Sequence, residues 1–161
     1  LRETRFANAR LDPVGVELLT VSGLRSRVSD RRLSEAERVE FYMVLVVISG
    51  HAEHMVDFDR LLLRVGHVMF LRPGQVQQWQ PRDGFEADLL LIDPAVMQPS
   101  ATASAHAATA LLRLDDWPSR FRLHAEELAA WSTLAASLRR ELDRPELDPL
   151  ATAIARELLL A

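Results

Sequence analysis

Along the first half of the chain, apolar residues come in short runs broken at close intervals by Gly, Pro and Asp. The densest run, residues 41–48, is rich in β-branched side chains and closes at Ser49-Gly50, which predicts a core strand. Residues 54–57 and 61–64 flank Phe58-Asp59-Arg60 and predict a hairpin. Val65-Gly66 predicts a turn before a strand over 67–71, and Arg72-Pro73-Gly74 a second turn, with Pro presetting φ and Gly free to reverse it. Two further strands, 75–80 and 85–92, enclose Pro81-Arg82-Asp83-Gly84; an earlier one, 14–21, opens the sheet, and 22–38 reads as an Arg-rich connection. Short strands spaced ~8–12 residues apart predict a sandwich or barrel.

The texture changes near residue 94. Residues 98–110 are almost entirely Ala, Ser and Thr without a period, and read as a mobile linker rather than a weak helix. Over 125–144 the pattern is helical, with Leu128, Trp131, Ala135, Leu138 and Leu142 on one stripe. Pro145 ends it. Asp148 and Pro149 then suit the N-cap and first position of another helix, whose stripe is Leu150, Ile154 and Leu158. The longer stripe either covers the outer face of the barrel or meets its twin across a two-fold axis, and Leu134 beside it widens the apolar face enough for one helix to do both.

Composition narrows the classes. A chain of 161 residues, 48% hydrophobic and 26% charged, fits one ordinary globular domain. A net charge of −4 argues against a broad nucleic-acid footprint. Arg25, Arg27, Arg31 and Arg32 suggest an anion or DNA site, but Glu35 and Glu37 follow at once, which favours a solvated, mixed-charge connection. The absence of cysteine excludes disulfides, thiolate metal sites and a Cys nucleophile, and suits a reducing cytoplasm. No apolar run approaches the ~20 residues of a membrane helix, and Leu1-Arg2-Glu3-Thr4-Arg5 is no signal peptide. The first residue is not Met and the last residues, Glu157-Leu158-Leu159-Leu160-Ala161, fall in an apolar helical run, so the sequence reads as a piece of a longer protein.

Glu40-Phe41-Tyr42-Met43, Ser49-Gly50, His54-Met55-Val56-Asp57-Phe58 and, most specifically, Leu71-Arg72-Pro73-Gly74-Gln75-Val76-Gln77-Gln78-Trp79 resemble the N-terminal domain of AraC/XylS-family transcription regulators. Leu123-His124-Ala125-Glu126-Glu127-Leu128 and the paired helices match more weakly. The resemblance implies a mainly β fold with C-terminal α: a cupin-like (double-stranded β-helix) barrel over 1–94, a linker over 95–124 and two or three helices, with the dimerisation region over 125–161. It implies a barrel that holds a small-molecule effector, a homodimer paired through Leu128, Trp131, Ala135, Leu138 and Leu142, and DNA contact only through a C-terminal helix-turn-helix domain. Neither helix after residue 94 carries a basic recognition face, so that domain is expected outside this chain.

Cupin barrels also build metal enzymes, which resemble one another in two His residues on the strand before the first Gly and a third after the Pro-Gly turn. Here those positions hold Glu37, Val39 and Gln77. A neutral amide is a poor ligand for Fe, Mn or Zn, and one carboxylate cannot hold the ion alone. No metal, cofactor or catalytic residue is therefore expected; a stand-alone cupin enzyme or binding protein is the alternative, and a ligand-free dimerisation barrel a third reading. His51 and His54, three apart, point to opposite strand faces. They, His106 and His124 read as solvated or locally hydrogen-bonded, and His67 after Gly66 as structural. In the cupin register Gln77 points inward, with Gln75 and Trp79 on its face. Met43, Leu45 and Val47 face them from the long strand, with Leu89 and Leu91, or their even-numbered neighbours, from another. Met43, Leu45, Val47, Gln77, Trp79 and Leu89 are the expected effector pocket, unless they fill a closed core.

Overall fold

Alternation with a period of two sorts strand residues into opposed sets, and a chain with many such strands can bury one set between two sheets. The computed structural model describes residues 1–8, 11–12, 14–97 and 116–145. In chain order the elements are β1 (Arg2–Thr4), β2 (Val16–Thr20), α1 (Val21–Arg27), α2 (Asp30–Leu33), β3 (Glu37–Val39), β4 (Tyr42–Ser49), β5 (His51–Val56), β6 (Asp59–Arg64), β7 (His67–Leu71), β8 (Val76–Trp79), β9 (Glu86–Ile92), a 3-10 turn at Pro94–Met97, β10 (Arg120–Arg122) and α3 (Ala125–Leu142). They form two facing five-stranded sheets, ordered β1-β3-β8-β5-β6 and β10-β7-β4-β9-β2. Between the sheets lies a core that includes Val39, Met43, Leu45, Val47, Leu63, Met69, Leu71, Trp79 and Leu89.

The strands predicted from 14 to 92 stand within a few residues of their expected bounds. Their connections differ more. Residues 22–38 are not one irregular linker: Thr20 and Ser29 each accept a backbone N–H, from Gly23 and Arg32, and so cap two short helices. Leu24 and Val28 then pack on the core. The hairpin turn sits one residue earlier than Phe58-Asp59-Arg60 suggests. Asp57 and Phe58 occupy it at φ 46° and 73°, with Val56 opposite Asp59, which matches a two-residue turn with both central residues left-handed. The Asp57 carboxylate accepts from Val76 N–H and Gln75 Nε2, each at 2.8 Å, and thereby ties the turn to β8.

Inside the stretch read as a linker, Arg120–Arg122 forms an edge strand on β7. Its Phe121 meets Trp117 edge-on, and Trp117 meets Phe70 in the same way. The expected linker at 98–110 and the second C-terminal helix lie outside the described residues.

The stripe on α3 has gone to the chain's own sheet. Ala135, Leu138 and Leu142 are buried, and the two leucines pack with Leu11, Val14, Val16, Leu90 and Ile92 on the outer face of β2 and β9. Trp131 is half-buried on the same cluster and donates its indole N–H to Asp88 Oδ2 at 2.8 Å, while Arg139 pairs with the other oxygen of Asp88. This corrects the two-fold seam: Ala135, Leu138 and Leu142 have no apolar surface left for a second copy. Leu128, the remaining seam position, is half-buried at the flank of this face. At the start of the helix, Glu127 accepts the His124 backbone N–H at 2.6 Å; Glu126 and Glu127 sit in the first turn and Arg139 and Arg140 in the last, in line with the helix dipole.

Replacing Leu138 by Ala should destabilise the fold by about 2–4 kcal/mol, the usual cost of a cavity at a fully buried Leu. Urea unfolding tests this, and a cost near zero would mean that the helix does not seal β2 and β9. Phe58, 81% exposed, loses no packing on substitution. Phe58→Asn should therefore raise stability by about 1 kcal/mol, because Asn tolerates the left-handed region better than Phe; an unchanged or lower urea midpoint would contradict the turn geometry.

Candidate functional site

The two sheets do not close completely. Near β1, α1 and α2 they part around a cavity of about 660 Å³ that opens to solvent. Its apolar wall includes Leu19 and Leu24 above, Phe41 and Met43 from β4 and its approach, Leu89 and Leu91 from β9, and Trp79 from β8. Arg2, Arg5, Arg32, Glu3, Glu17 and Glu37 are the charged lining residues.

Of the six residues expected to form an effector pocket, the structure brings Met43, Gln77, Trp79 and Leu89 to this cavity. Leu45 and Val47 are fully buried in the adjoining core and do not line it. The reason lies along β4. Its inward positions run Met43, Leu45, Val47, and only the first reaches the parted end; the others fill the closed end beside Leu63 and Met69. On β9 the odd-numbered residues face inward. Leu89 and Leu91 line the cavity, whereas Leu90 belongs to the cluster under α3.

One wall is polar. Glu37 and Gln77 stand directly opposite each other on β3 and β8, and Gln77 Nε2 donates to Glu37 Oε1 at 2.9 Å. His54 on β5 lies 3.0 Å from Gln77 Oε1 through its Nε2. A carboxylate paired with arginine can only accept, so it holds the Gln77 amide with nitrogen toward Glu37 and oxygen toward His54. His54 must then carry its proton on Nε2. The other Glu37 oxygen accepts from Thr4 Oγ1 at 2.7 Å and pairs with Arg2. His54 also meets the Trp79 ring edge-on, centroids 4.6 Å apart.

This chain was only partly legible. Glu37 and Gln77 stood out as metal-ligand positions that lack His, but His54 was read as solvated or locally bonded. It is 2% exposed, and its partner comes from a strand 23 residues away. The missed signal is alternation: Ala52, His54 and Val56 share one buried face of β5. His51, on the opposite face, is exposed, and His67 makes the structural contacts expected of it, accepting the Arg64 N–H at 3.1 Å and lying 3.2 Å from Leu62 O. Among the described residues, no group of three or more His, Cys, Asp or Glu converges as a metal site, and no helix is long and apolar enough to cross a membrane.

A family model described as the AraC-binding-like domain matches residues 2–161. Among solved structures, unsaturated-fatty-acid-bound ToxT from Vibrio cholerae is 8% identical, with 90% of this chain and 50% of that one covered at a TM-score of 0.44. The AraC-like transcriptional activator CuxR is 13% identical over 90% of this chain and 47% of that one, at a TM-score of 0.43. A cupin 2 conserved barrel domain protein from Salinispora arenicola is 28% identical over 35% of this chain and 49% of that one, at a TM-score of 0.31. The chain spans about half the length of these structures. No curated protein matches it.

Burial lowers the pKa of His54 from the ordinary 6.5 to about 4, against the opposing effect of its bond to Gln77. A depressed histidine favours the fold in full above the unfolded value of 6.5, and that contribution is lost as pH falls toward 4. At ~1.4 kcal/mol for each tenfold displacement, the loss is roughly 3 kcal/mol. Urea midpoints at pH 7.5, 5.5 and 4.5 should fall accordingly, and His54→Gln should remove most of that slope. A slope equally steep in the variant would show that other groups set it.

Proposed function

Because the chain belongs to the AraC-binding-like domain family and has a cupin-like β fold, we propose that it is the effector-binding and dimerisation part of an AraC-type transcription regulator. The observation that carries this reading is the cavity between the sheets. Its volume of about 660 Å³ lies inside the ~300–1,000 Å³ range of small-molecule sites, and its lining is mostly apolar with a few fixed polar groups. The partner is a small molecule in the cytoplasm. DNA is contacted through a helix-turn-helix domain carried elsewhere in the polypeptide.

The fold offers a route from ligand to helix. Leu89 and Leu91 touch the cavity, and Asp88, Leu90 and Ile92, the alternate residues of the same strand, hold α3. A ligand that prefers one placement of β9 shifts the population of helix positions by as much as its affinities differ. With the central seam of α3 used internally, pairing of two protomers falls to its flanks, where Leu128 and Leu134 are half-buried. The reading is non-catalytic. It draws on donor chemistry at Glu37, Val39 and Gln77, where an amide and an aliphatic side chain replace imidazoles.

The neutral fluorophore N-phenyl-1-naphthylamine tests the cavity. The chain should bind it saturably at one site, and Leu91→Trp, which fills the space from β9, should weaken binding at least fivefold with an unchanged circular dichroism spectrum. Unsaturable binding, or equal binding by a folded Leu91→Trp variant, would refute an effector site here. Sedimentation at micromolar concentration should show a dimer; a monomer throughout would remove the pairing role.

A further inference from the structure

We infer that the cavity selects an electrically neutral, largely apolar molecule carrying one hydrogen-bond acceptor, which it places against Gln77 Nε2. This rests on the reading of the cavity as an effector site and names what that site accepts.

Charge balance comes first. The lining holds three arginines and three glutamates. Each arginine already faces a carboxylate: Arg2 pairs with Glu37 and lies 3.4 Å from Glu35, Arg5 lies 2.7 Å from Glu40, and Arg32 lies 3.8 Å from Glu35. Glu17 is matched by Arg27 at 2.8 Å, and Glu37 by Arg2. Glu3 is exposed to water at the mouth. An anionic ligand would have to take an arginine from its present partner or enter without a counter-charge, beside carboxylates. A cationic one would find only solvated Glu3, a weak attraction. Either charge would be desolvated for little return. A neutral ligand meets no such cost.

Hydrogen-bond inventory supplies the second half. The Gln77 side chain has two N–H donors and one carbonyl oxygen. One N–H goes to Glu37 and the oxygen receives His54. Among the described residues the second N–H has no hydrogen-bond partner, and Gln77 lines the cavity while being 2% exposed. The amide cannot answer by flipping, because its oxygen would then face the Glu37 carboxylate. An orphaned donor in a buried wall is costlier than a carbonyl with one of two acceptor sites in use. The cavity therefore asks for an acceptor, and Trp79, Met43 and Leu89 provide the apolar surface beside it. Glu37 and His54 are positioning residues: neither needs to touch the ligand, and together they fix which end of the Gln77 amide carries the free hydrogen.

Three probes on one ring system separate these points in the full chain, each measured by displacement of N-phenyl-1-naphthylamine. They are 2-acetylnaphthalene (neutral, with an acceptor), 2-ethylnaphthalene (neutral, without one) and 2-naphthoate (anionic). 2-Acetylnaphthalene should bind roughly three- to tenfold more tightly than 2-ethylnaphthalene, the range of one net hydrogen bond, and 2-naphthoate most weakly. Gln77→Leu should equalise the two neutral probes. Glu37→Gln, which frees the amide to rotate, should narrow their ratio by weakening 2-acetylnaphthalene more than 2-ethylnaphthalene, a pattern that general loosening would not produce. Should either variant fail to fold, the wild-type order alone decides. Saturable fluorophore binding with 2-naphthoate tightest, with equal neutral probes, or with the full ratio retained in folded Gln77→Leu, would overturn this inference and leave the effector site standing. Failure of the fluorophore and all three probes to bind would overturn both.

Discussion

The strict two-sidedness of β9, with its neighbours β2 and β4, is the constraint on which the rest of the molecule depends. A strand side chain can face only one way, so five consecutive residues serve two masters: Leu89 and Leu91 inward, Asp88, Leu90 and Ile92 outward. No residue belongs to both faces, yet none is more than one position from the other face. Asp88 makes the outer arrangement specific as well as greasy. A carboxylate buried on a sheet face needs donors, and α3 supplies an indole and a guanidinium at positions that match only one placement of the helix. Leucine contacts alone would tolerate sliding; this triad does not.

The inner wall applies the same logic to a different end. Glu37 and Gln77 stand opposite each other on β3 and β8 and use each other as partners. A short chain of bonds from Arg2 and Thr4 through Glu37 and Gln77 to His54 crosses β1, β3, β8 and β5. It fixes the orientations of the amide and the imidazole and leaves one Gln77 N–H uncommitted.

Most strands between residues 14 and 92 could be read from the sequence, because their alternation and turn residues are local properties. The same period put Gln77 and Trp79 on one face, which the cupin-like register aimed inward; it left the inward face of β9 open, because Leu90 and Ile92 are as apolar as Leu89 and Leu91. What escaped depended on distance. Leu45 and Val47 share a face with Met43, and nothing in the strand itself says where the sheets part. His54 looks unremarkable until β8 lies beside it. The α3 stripe is equally apolar whether its partner is a twin or a sheet, and only the position of Asp88 opposite Trp131 and Arg139 distinguishes the two. The caps Thr20 and Ser29 went unread, because the arginines that follow them made 22–38 look like a solvated connection.

The order of pairing also bears on how the molecule is made. β5 and β6 join through two residues, whereas β2 pairs with β9 by aligning Val16 with Ile92 across most of the described chain, and β1 and β3 are paired in parallel from well-separated segments. Ring closures of that length lose the most chain entropy, so they are expected last on the route to the native state. Those late strands carry Arg2, Glu3, Thr4, Glu17, Leu19 and Glu37, part of the cavity wall. A half-assembled chain thus has hairpins but nowhere to hold a guest. Occupancy becomes a report of completed assembly, and a bound molecule acts as a brake on unfolding from the very end that closes last.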